Sequence, residues 1–482
     1  MSDPETKPQA AGDKKKKKRK GKGRELAECL LVAGALALGI RTFAFQLFKI
    51  PTRSMEPTLI GNEDYGDRVV AAMWYKRGPY LPLKLGKLDR WQVIVFDHYI
   101  KDGDGKRHGT NFIKRLVGLP GEKIEIRDGD IWVNGQIARK PPAVQERIWL
   151  GLCDLQPAEA WRVPKYWEPS ANVKVERGAP AMMASTPEKP AALRWARTRP
   201  IDNRFIRLTA KDVKCPDPAC GRFKAVFDTA RPVAFCPKDH HSPVWGLRDP
   251  LGRESPFGSG LEVAGEEALV RAAAGGGGDY WTDGPVGPFV PDLRLALDFE
   301  HLDGAGELRV TLTGRSEPCV FSLSLADGAA RLVLPAGRGE PVVGRLPLGP
   351  GKVHHLEVAN VDGAFWAELD GARLGPGEYN PSSEPGRSDA QVSVSGGARV
   401  AVSRIRLWRD IYYGFQGSRM TTISENLRSS FIRMPPDGYF FLGDNQLASA
   451  DSREFEEPKT EKDIVARGIF VAWPPSRFHV VW

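Results

Sequence analysis

Apolar and polar residues alternate in short runs along much of the chain, and this pattern predicts a mainly β protein. Gly, Pro and Asp turns separate five runs rich in valine, isoleucine and phenylalanine: Arg68–Met73, Gln92–Phe96, Asn111–Leu116, Glu122–Ile126 and Asp130–Val133. Farther along, apolar residues occupy every second position, as at Leu293, Leu295 and Leu297. Strands of this period, split by Asp-Gly and Gly-rich turns, predict an antiparallel β-sandwich.

One apolar segment is too long for a strand. As a helix, Cys29–Phe48 would cover roughly 30 Å, about the thickness of a bilayer's hydrocarbon core. Arg41 lies near its distal end, where an arginine can extend its charge to the interface. A cleaved signal peptide and a buried core helix are the alternatives, but no small-residue cleavage site precedes Lys49. The pattern favours an uncleaved transmembrane helix at residues 25–48.

Positive charge is concentrated before this segment. The chain carries a net charge of +9, and Lys14–Lys20 is an unbroken basic run. The positive-inside rule predicts a cytoplasmic tail at residues 1–24, with the chain beyond residue 50 extracytoplasmic, in a single-pass protein of the inner (cytoplasmic) membrane. No aromatic residues interleave with the cations and no helix-turn-helix pattern follows, so we expect the lipid bilayer as partner and no nucleic acid.

Four residues in the middle of the chain resemble a degenerate zinc ribbon: Cys215, Cys220, Cys236 and His240. Three thiolates and one imidazole complete a tetrahedral site, which would be structural because no open ligand position or nearby base is evident. The spacing between Cys215 and Cys220 is wider than in the commonest ribbons, and an extracytoplasmic location also permits a disulfide between them. Structural zinc, a disulfide and free thiols all fit the sequence.

Ser54 and Lys114 are the candidate catalytic residues. Pro51 and Pro57 restrict the backbone on either side of Ser54, so its hydroxyl would lie on a rigid turn. A serine needs a base to remove its proton, and no histidine has a suitable setting for that work. Lys114 has apolar neighbours, and burial would lower its pKa toward neutrality, where an amine acts as a base. Taken singly, each residue is also typical of an ordinary protein surface.

Four motifs support a catalytic role for Ser54 and Lys114: Ser54–Leu59, Gly66–Val70, Ile113–Glu122, and Gly443–Asn445 with Ser449–Arg453. In order and position, directly after an apolar segment, they resemble the type I signal peptidases, membrane-bound endopeptidases that remove signal peptides from exported preproteins. The resemblance covers roughly residues 25–140 and 415–482. It implies a β catalytic domain, a Ser/Lys dyad acting through an acyl-enzyme, Ala-x-Ala-like cleavage sites, and no cofactor for catalysis.

The same resemblance assigns roles to individual residues. Ser54 matches the nucleophile and Lys114 the general base. The hydroxyl of Thr52, with the backbone N–H of Ser54, matches the donors that stabilise the oxyanion. Ser449 matches the serine that orients the lysine amine. The remaining matched residues are charged supports of the catalytic strands: Asp444, Asp451, Arg453 and Arg115.

The chain also departs from the family pattern. Gln446-Leu447-Ala448 stands where the family usually has Arg-Asp-Asn, and Glu454-Phe455 replaces an aromatic-Gly pair. These changes keep a rival hypothesis open: a catalytically idle membrane adaptor whose sandwich binds a glycan or protein. A Ser/Lys self-cleaving repressor is the rival enzyme, but its helix-turn-helix domain and upstream self-cleavage bond are missing.

The region between the motifs forms a large insertion. Within it, His354–Val358 and Phe365–Gly371 resemble laminin-G or concanavalin-like jelly-roll domains, so a glycan or protein ligand of the insertion is a candidate partner. The expected order is a basic tail (1–24), an anchor (25–48), the first catalytic part (49–142), an insertion with the cysteine cluster (143–255), a β-sandwich insertion (256–411) and the second catalytic part (412–482).

Overall fold

The protein divides into two compact units, Met1–Gln46 and Leu47–Trp482. The structure is a computed structural model, and it describes residues 26–33, 45–61, 66–73, 87–101, 107–155, 167–176, 179–195, 213–214, 222–223, 225–227, 232–234, 290–349, 351–382, 388–414, 426, 431–446 and 449–481. The predicted cysteine and histidine cluster lies outside these residues.

The first unit contains helix α1 (26–33) and the start of strand β1 (Phe45–Lys49). In the described part of the chain, no helix has the length and apolar character needed to cross a membrane. Residues 34–44 of the predicted transmembrane helix lie outside the described residues. The prediction was wrong for residues 45–48, which form a strand: Phe45 and Leu47 alternate with polar Gln46, and aromatic residues favour extended backbone.

The second unit begins with the region predicted as the first catalytic part. A 3₁₀ helix (Arg53–Met55) follows β1, and the next elements are β2 (Arg68–Ala72), β3 (Val93–Lys101), β4 (Arg107–Gly118), β5 (Lys123–Arg127), β6 (Asp130–Val133), β7 (Gln136–Ile137) and helix α2 (Pro142–Ile148). Strands β2 to β6 confirm the five strands predicted from the short apolar runs, with small differences at their ends.

The insertion contributes most of the strands. They are β8 (Leu150–Leu155), β9 (Trp167–Pro169), β10 (Val173–Lys174), β11 (Ala181–Ala184), β12 (Ala191–Trp195), β13 (Val213–Lys214), β14 (Arg222–Phe223), β15 (Ala225–Phe227), β16 (Pro232–Ala234), β17 (Leu293–Asp303), β18 (Glu307–Gly314), β19 (Glu317–Ser324), β20 (Ala329–Val333), β21 (Val342–Arg345), β22 (Val353–Val361), β23 (Ala364–Leu369), β24 (Ala372–Glu378), β25 (Asp389–Ser395) and β26 (Arg399–Arg409).

The end of the chain completes the catalytic region. Its elements are β27 (Ile432–Arg433), β28 (Gly438–Leu442), β29 (Lys459–Thr460), a 3₁₀ helix (Glu461–Asp463), β30 (Ile464–Trp473), a second 3₁₀ helix (Pro475–Arg477) and β31 (His479–Val480). In the main sheet of this region the order is β2-β30-β3-β4-β28-β29, and a smaller sheet has the order β27-β5-β6-β7. Strands from before and after the insertion therefore lie side by side in one sheet, as β2 and β30 or β4 and β28 do, which brings the distant motifs together.

Two antiparallel sheets of the insertion share one hydrophobic core. Their orders are β10-β11-β26-β17-β22-β23-β24, with β8 also paired to β26, and β21-β20-β19-β18-β25-β12-β9. Alternate residues of both sheets, such as Leu295 and Val310, are buried in this core. The mainly β fold is confirmed, while the jelly-roll-like character stays a prediction.

The sheets also include residues that precede the predicted sandwich, 256–411. Strands β8 to β12 lie in the predicted segment 143–255, yet they belong to the same two sheets: β8 and β11 pair with β26, β12 pairs with β25, and β10 and β9 pair with β11 and β12. Their own pattern explains this placement, because Ala191, Leu193 and Trp195 alternate with more exposed residues and are buried in the shared core.

Buried charges join the insertion to the catalytic region. Arg315, at the tip between β18 and β19, donates to Asp128 and Asp130 at 2.6 Å each. Lys140, after β7, pairs with Asp362 and lies 2.9 Å from Asp410 of the insertion. We call these six residues, together with Asp292, the junction cluster.

Candidate active site

The loop that carries Ser54 is fixed on two sides. Met55 and Leu59 are fully buried in a hydrophobic core with strands β2 and β3. On the polar side, the N–H of Ile60 donates to the Asp67 carboxylate at 2.7 Å, and Arg477 pairs with the same carboxylate at 3.0 Å. Apolar burial and these hydrogen bonds leave the short helix around Ser54 little freedom to move.

Ser54 and Lys114 meet in a buried site. Each side chain belongs to a residue that is 3 % exposed, and Lys114 Nζ donates to Ser54 Oγ at 2.6 Å. Strand β4 brings the lysine there, with its residue opposite Ile94 of β3. Burial lowers the pKa of Lys114 to about 8, and Arg453 acts in the same direction, whereas Asp451 and Asp444 raise the pKa. The amine is therefore much easier to deprotonate than an ordinary lysine.

Thr52 lies at the mouth of this site. It is exposed, and its Oγ1 is 3.5 Å from Ser54 Oγ. A hydroxyl at this position can donate to an oxygen that develops charge beside Ser54. The predicted oxyanion role of Thr52 stays a prediction, and the geometry is compatible with it.

The first charged support is a buried pair. Arg115 Nε and Nη2 donate to the two carboxylate oxygens of Asp444 at 2.7 and 2.6 Å. Arg115 also donates to the carbonyl of Trp91 at 2.7 Å, and Thr58 donates to Asp444 at 2.5 Å. Because Arg115 is the next residue after Lys114 on β4, this pair ties the lysine's strand to the loop after β28.

The second support holds the loop that bears Ser449. Arg453 donates from Nε and Nη2 to Asp451 at 2.8 and 2.7 Å. Asp451 also accepts from Ser449 Oγ at 2.7 Å and from the N–H of Gly443 at 3.0 Å. Among the described residues, Ser449 forms its hydrogen bond with Asp451 and none with Lys114, so its predicted role on the amine stays a prediction.

Gly443 allows these loops to approach closely. A Cβ atom at this position would lie 2.2 Å from Ser449 Oγ and 2.5 Å from the carbonyl oxygen of Ser54. Both distances are shorter than any side chain permits, so glycine is required here. The next contact along the loop is the N–H of Asn445, which donates to the carbonyl oxygen of Ser54 at 3.1 Å.

Two useful residues, Thr58 and Asn445, were missed by the sequence reasoning, whereas Phe112 is one of the apolar neighbours from which the burial of Lys114 was predicted. Thr58 and Asn445 lie inside the motifs, and their positions there were the available signal. Phe112 lies two residues before Lys114, and its ring centroid is 5.1 Å from Nζ. It belongs to an aromatic wall that includes His98, whose pKa is lowered to about 4 by burial, Lys459 and Lys114. His98 is thus uncharged at neutral pH.

One group of acidic residues has the geometry of a metal site in the described part of the chain: Asp130, Asp292 and Asp362 have carboxylate oxygens within 4.8 Å of one another. Two cations already lie against it, because Arg315 pairs with Asp130 and Lys140 with Asp362. Burial, followed by Asp130 and Asp362, holds the pKa of Asp292 well above its ordinary value. This cluster joins the insertion to the catalytic region. Among the described contacts, none links Asp130, Asp292 or Asp362 to Ser54 or Lys114.

Comparison with known proteins agrees with this geometry. Residues 23–149 match the family model described as "Signal peptidase, peptidase S26". The resemblance to type I signal peptidases is confirmed. A probable signal peptidase I-2 from Synechocystis sp. is 33 % identical over 128 residues, which cover 25 % of this chain and 52 % of that protein. Signal peptidase I P from Bacillus subtilis subsp. natto is 29 % identical over 124 residues, covering 26 % and 57 %.

The chain spans about half the length of these signal peptidases. The family match includes Ser54 and Lys114 and ends at residue 149, directly before β8. Among solved structures, the galectin LEC-6 of Caenorhabditis elegans is similar with a TM-score of 0.20 and 17 % identity, covering 25 % of this chain and 86 % of that one.

Proposed function

We propose that the chain is a membrane-bound signal peptidase that cleaves exported preproteins with Ser54 as nucleophile and Lys114 as general base. The observation that carries this proposal is the 2.6 Å contact between Lys114 Nζ and Ser54 Oγ in a buried site. A nucleophile and a base within hydrogen-bond reach are what acyl transfer requires. Both residues lie within the segment related to signal peptidases.

The reaction follows from the protonation state of the lysine. When Lys114 has lost its proton, its amine accepts the hydroxyl proton of Ser54, and Oγ attacks the carbonyl carbon of the scissile peptide. The hydroxyl of Thr52 and the N–H of Ser54 would donate to the resulting oxyanion. Lys114 then passes the proton to the leaving amine, and a water activated by the same lysine hydrolyses the acyl-enzyme.

Substrate binding would use the backbone around the dyad. An extended peptide can add as a strand beside residues 50–54 or 110–114, with its main-chain groups supplying affinity. Shallow pockets would then select small residues in an Ala-x-Ala-like pattern. An apolar anchor ahead of β1 would keep the site at the extracytoplasmic membrane surface, where signal peptides emerge.

The test is cleavage of a preprotein by the full-length chain in detergent micelles. We expect Ser54→Ala and Lys114→Met each to reduce cleavage more than about 1,000-fold, because each removes one half of a unit that acts together. Buried Ser185 and exposed Lys352 belong to the insertion, so Ser185→Ala and Lys352→Met are matched controls that should leave the rate unchanged.

Two results would contradict the proposal. One is a wild-type chain that cleaves no preprotein, which would favour the adaptor hypothesis. The other is cleavage that survives either substitution in the dyad. Mass spectrometry of the products identifies the bond that is cut and checks that it follows an Ala-x-Ala-like site.

A further inference from the structure

Gly414 lies where the chain returns from the insertion to the catalytic region, and two residues of that region bind both of its backbone groups. The N–H of Gly414 donates to Gln446 Oε1, and its carbonyl accepts from Arg453 Nη1. Gly414 comes five residues after the end of β26, the last strand of the insertion. The two regions are therefore joined here by direct hydrogen bonds close to the candidate active site.

Both partners of Gly414 belong to the loops that surround Ser54. Gln446 follows Asn445, whose N–H donates to the carbonyl oxygen of Ser54 at 3.1 Å. Arg453 holds Asp451, which in turn accepts from Ser449 at 2.7 Å. A displacement of Gly414 would thus be transmitted to the backbone of Ser54 through Gln446 and Asn445, and to Ser449 through Arg453 and Asp451.

Contacts to both regions fix the segment that ends at Gly414: Asp292 belongs to the insertion, whereas Asp128 and Gly129 lie in the turn between β5 and β6 of the catalytic region. The N–H of Asp410 donates to the carbonyl of Asp292 at 3.0 Å, and Tyr412 Oη donates to Asp128 at 3.1 Å. The N–H of Tyr413 donates to the carbonyl of Gly129 at 3.0 Å. Contacts at residues 410, 412 and 413 restrict the segment 410–414, so Gly414 is a fixed point of attachment and not part of a flexible linker.

The Gln446 side chain is buried and forms the hydrogen bond that links its loop to Gly414. Its residue is 5 % exposed, and in the described part of the structure its Nε2 has no hydrogen-bond partner, so its bond to Gly414 is made through Oε1. Beside it, a cavity of about 10 Å³, the size of one water molecule, separates Asn445 from Ile411 and Tyr412. Because side chains do not fill this space, the hydrogen bond between Gly414 and Gln446 accounts for more of the contact between the segment 410–414 and the Ser54 loop.

We propose that Gln446 is a positioning residue that couples the insertion to the Ser54 loop through the backbone of Gly414. The insertion is then part of the support of the active site and not an independent appendage. The catalytic consequence of this inference rests on the proposed function, whereas the coupling itself can be measured without any cleavage.

The experiment compares Gln446→Met with Gln145→Met in the full-length chain. Methionine keeps the side-chain length and removes the acceptor. Gln145 is the matched control because it is also buried beside the insertion, where its amide donates to Asp410 at 2.9 Å, but it makes no described contact with the Ser54 loop. Hydrogen exchange of the amides of Gly443 and Asn445 is measured together with kcat, KM and the thermal unfolding temperature.

For Gln446→Met we expect five- to tenfold faster exchange at Asn445 and a five- to tenfold lower kcat, which is the effect of one lost hydrogen bond. KM should change less than twofold, because peptide binding does not use Gln446. Gln145→Met should lower the unfolding temperature and leave both exchange at Asn445 and kcat unchanged. A purely structural role for Gln446 would instead give the pattern of the control.

Unchanged exchange at Asn445 in Gln446→Met would overturn the coupling, whatever the activity. Faster exchange with an unchanged kcat would overturn the positioning role. If the wild-type chain cleaves no preprotein while Gln446→Met still exchanges faster at Asn445, the proposed function fails and the coupling stands.

Discussion

The two buried charge clusters of this protein are built on opposite principles. Beside the dyad, each carboxylate has its own arginine: Asp444 pairs with Arg115 and Asp451 with Arg453. In the junction cluster, the ion pairs that the five carboxylates form with described residues are with Arg315 and Lys140. The first arrangement balances charge and the second leaves an excess of buried acid.

The difference is visible in the pKa values. Although burial raises the pKa of Asp451, Arg453 and the hydrogen bonds to Asp451 bring it below the ordinary range. In the junction cluster, burial raises the pKa of Asp410 to about 6, with Asp362 adding to the effect and Lys140 opposing it. A balanced pair fixes geometry at neutral pH. In an acid-rich cluster the carboxyl pKa values are raised, so the contact between the insertion and the catalytic region is sensitive to pH.

The largest expected effect comes from breaking the balanced pair. Arg115→Met leaves the buried Asp444 carboxylate unpaired, so we expect the free energy of unfolding to fall by about 3–5 kcal/mol. Denaturant unfolding of the full-length protein in detergent micelles measures this change. Arg345→Met breaks an exposed pair with Asp327 and should have no measurable effect. A similar small loss for Arg115→Met would show that the buried pair contributes little.

The junction cluster should make stability fall as pH rises. Because the pKa of Asp410 is raised in the folded protein, its contribution is fully present below about pH 4 and is lost as pH rises through about 6. A shift of about two units corresponds to about 2–3 kcal/mol. Unfolding free energies measured between pH 4 and 7 should show this decline, and Asp410→Asn should remove it. A flat profile in the wild-type protein would contradict the assignment.

Two isosteric substitutions compare the clusters directly. Asp451→Asn removes an ionised acceptor from Arg453 and should cost about 2–3 kcal/mol at pH 7. In Asp292→Asn the replaced carboxyl group has a pKa that burial, Asp130 and Asp362 hold well above its ordinary value, so we expect a smaller change in the free energy of unfolding, within about 1 kcal/mol. Equal losses for the two substitutions, measured by denaturant unfolding, would mean that the clusters do not differ in ionisation.

The smallest effect is expected at Tyr413. This residue is buried between the clusters, and among the described residues its hydroxyl has no hydrogen-bond partner. Removing an unsatisfied polar group is favourable, so Tyr413→Phe should raise the free energy of unfolding by up to about 1 kcal/mol. Thermal unfolding measures the gain. A loss of stability would instead reveal a partner for that hydroxyl.

Local patterns were enough to predict much of the fold. The apolar runs located β2 to β6, and the alternation at Leu293 and its neighbours indicated strands of the sandwich from β17 onward, whereas β8 to β12 were not predicted. The pairing of β8 with β26 was not predictable, because the two strands lie about 250 residues apart and neither carries a local signal for the other. The strand at residues 45–48 was missed because its apolar residues also fit the end of a long helix.

The candidate site was predictable only in part. The motifs identified Ser54, Lys114 and their charged supports, and the structure brings these residues together. The junction cluster was not foreseen, because Asp128, Arg315 and Lys140 lie in turns, where charged residues are normally exposed. They are buried because the insertion packs against the catalytic region. No local sequence pattern predicts that contact.

The pH dependence of preprotein cleavage tests the central claim most directly. If Lys114 is the general base, kcat/KM should rise tenfold per pH unit on the acid side and level off above about pH 8, where the amine has lost its proton. A profile that levels off near pH 6–7 would indicate a histidine base. Cleavage that continues to rise toward pH 10.5, the ordinary lysine pKa, would contradict a buried Lys114 acting on Ser54.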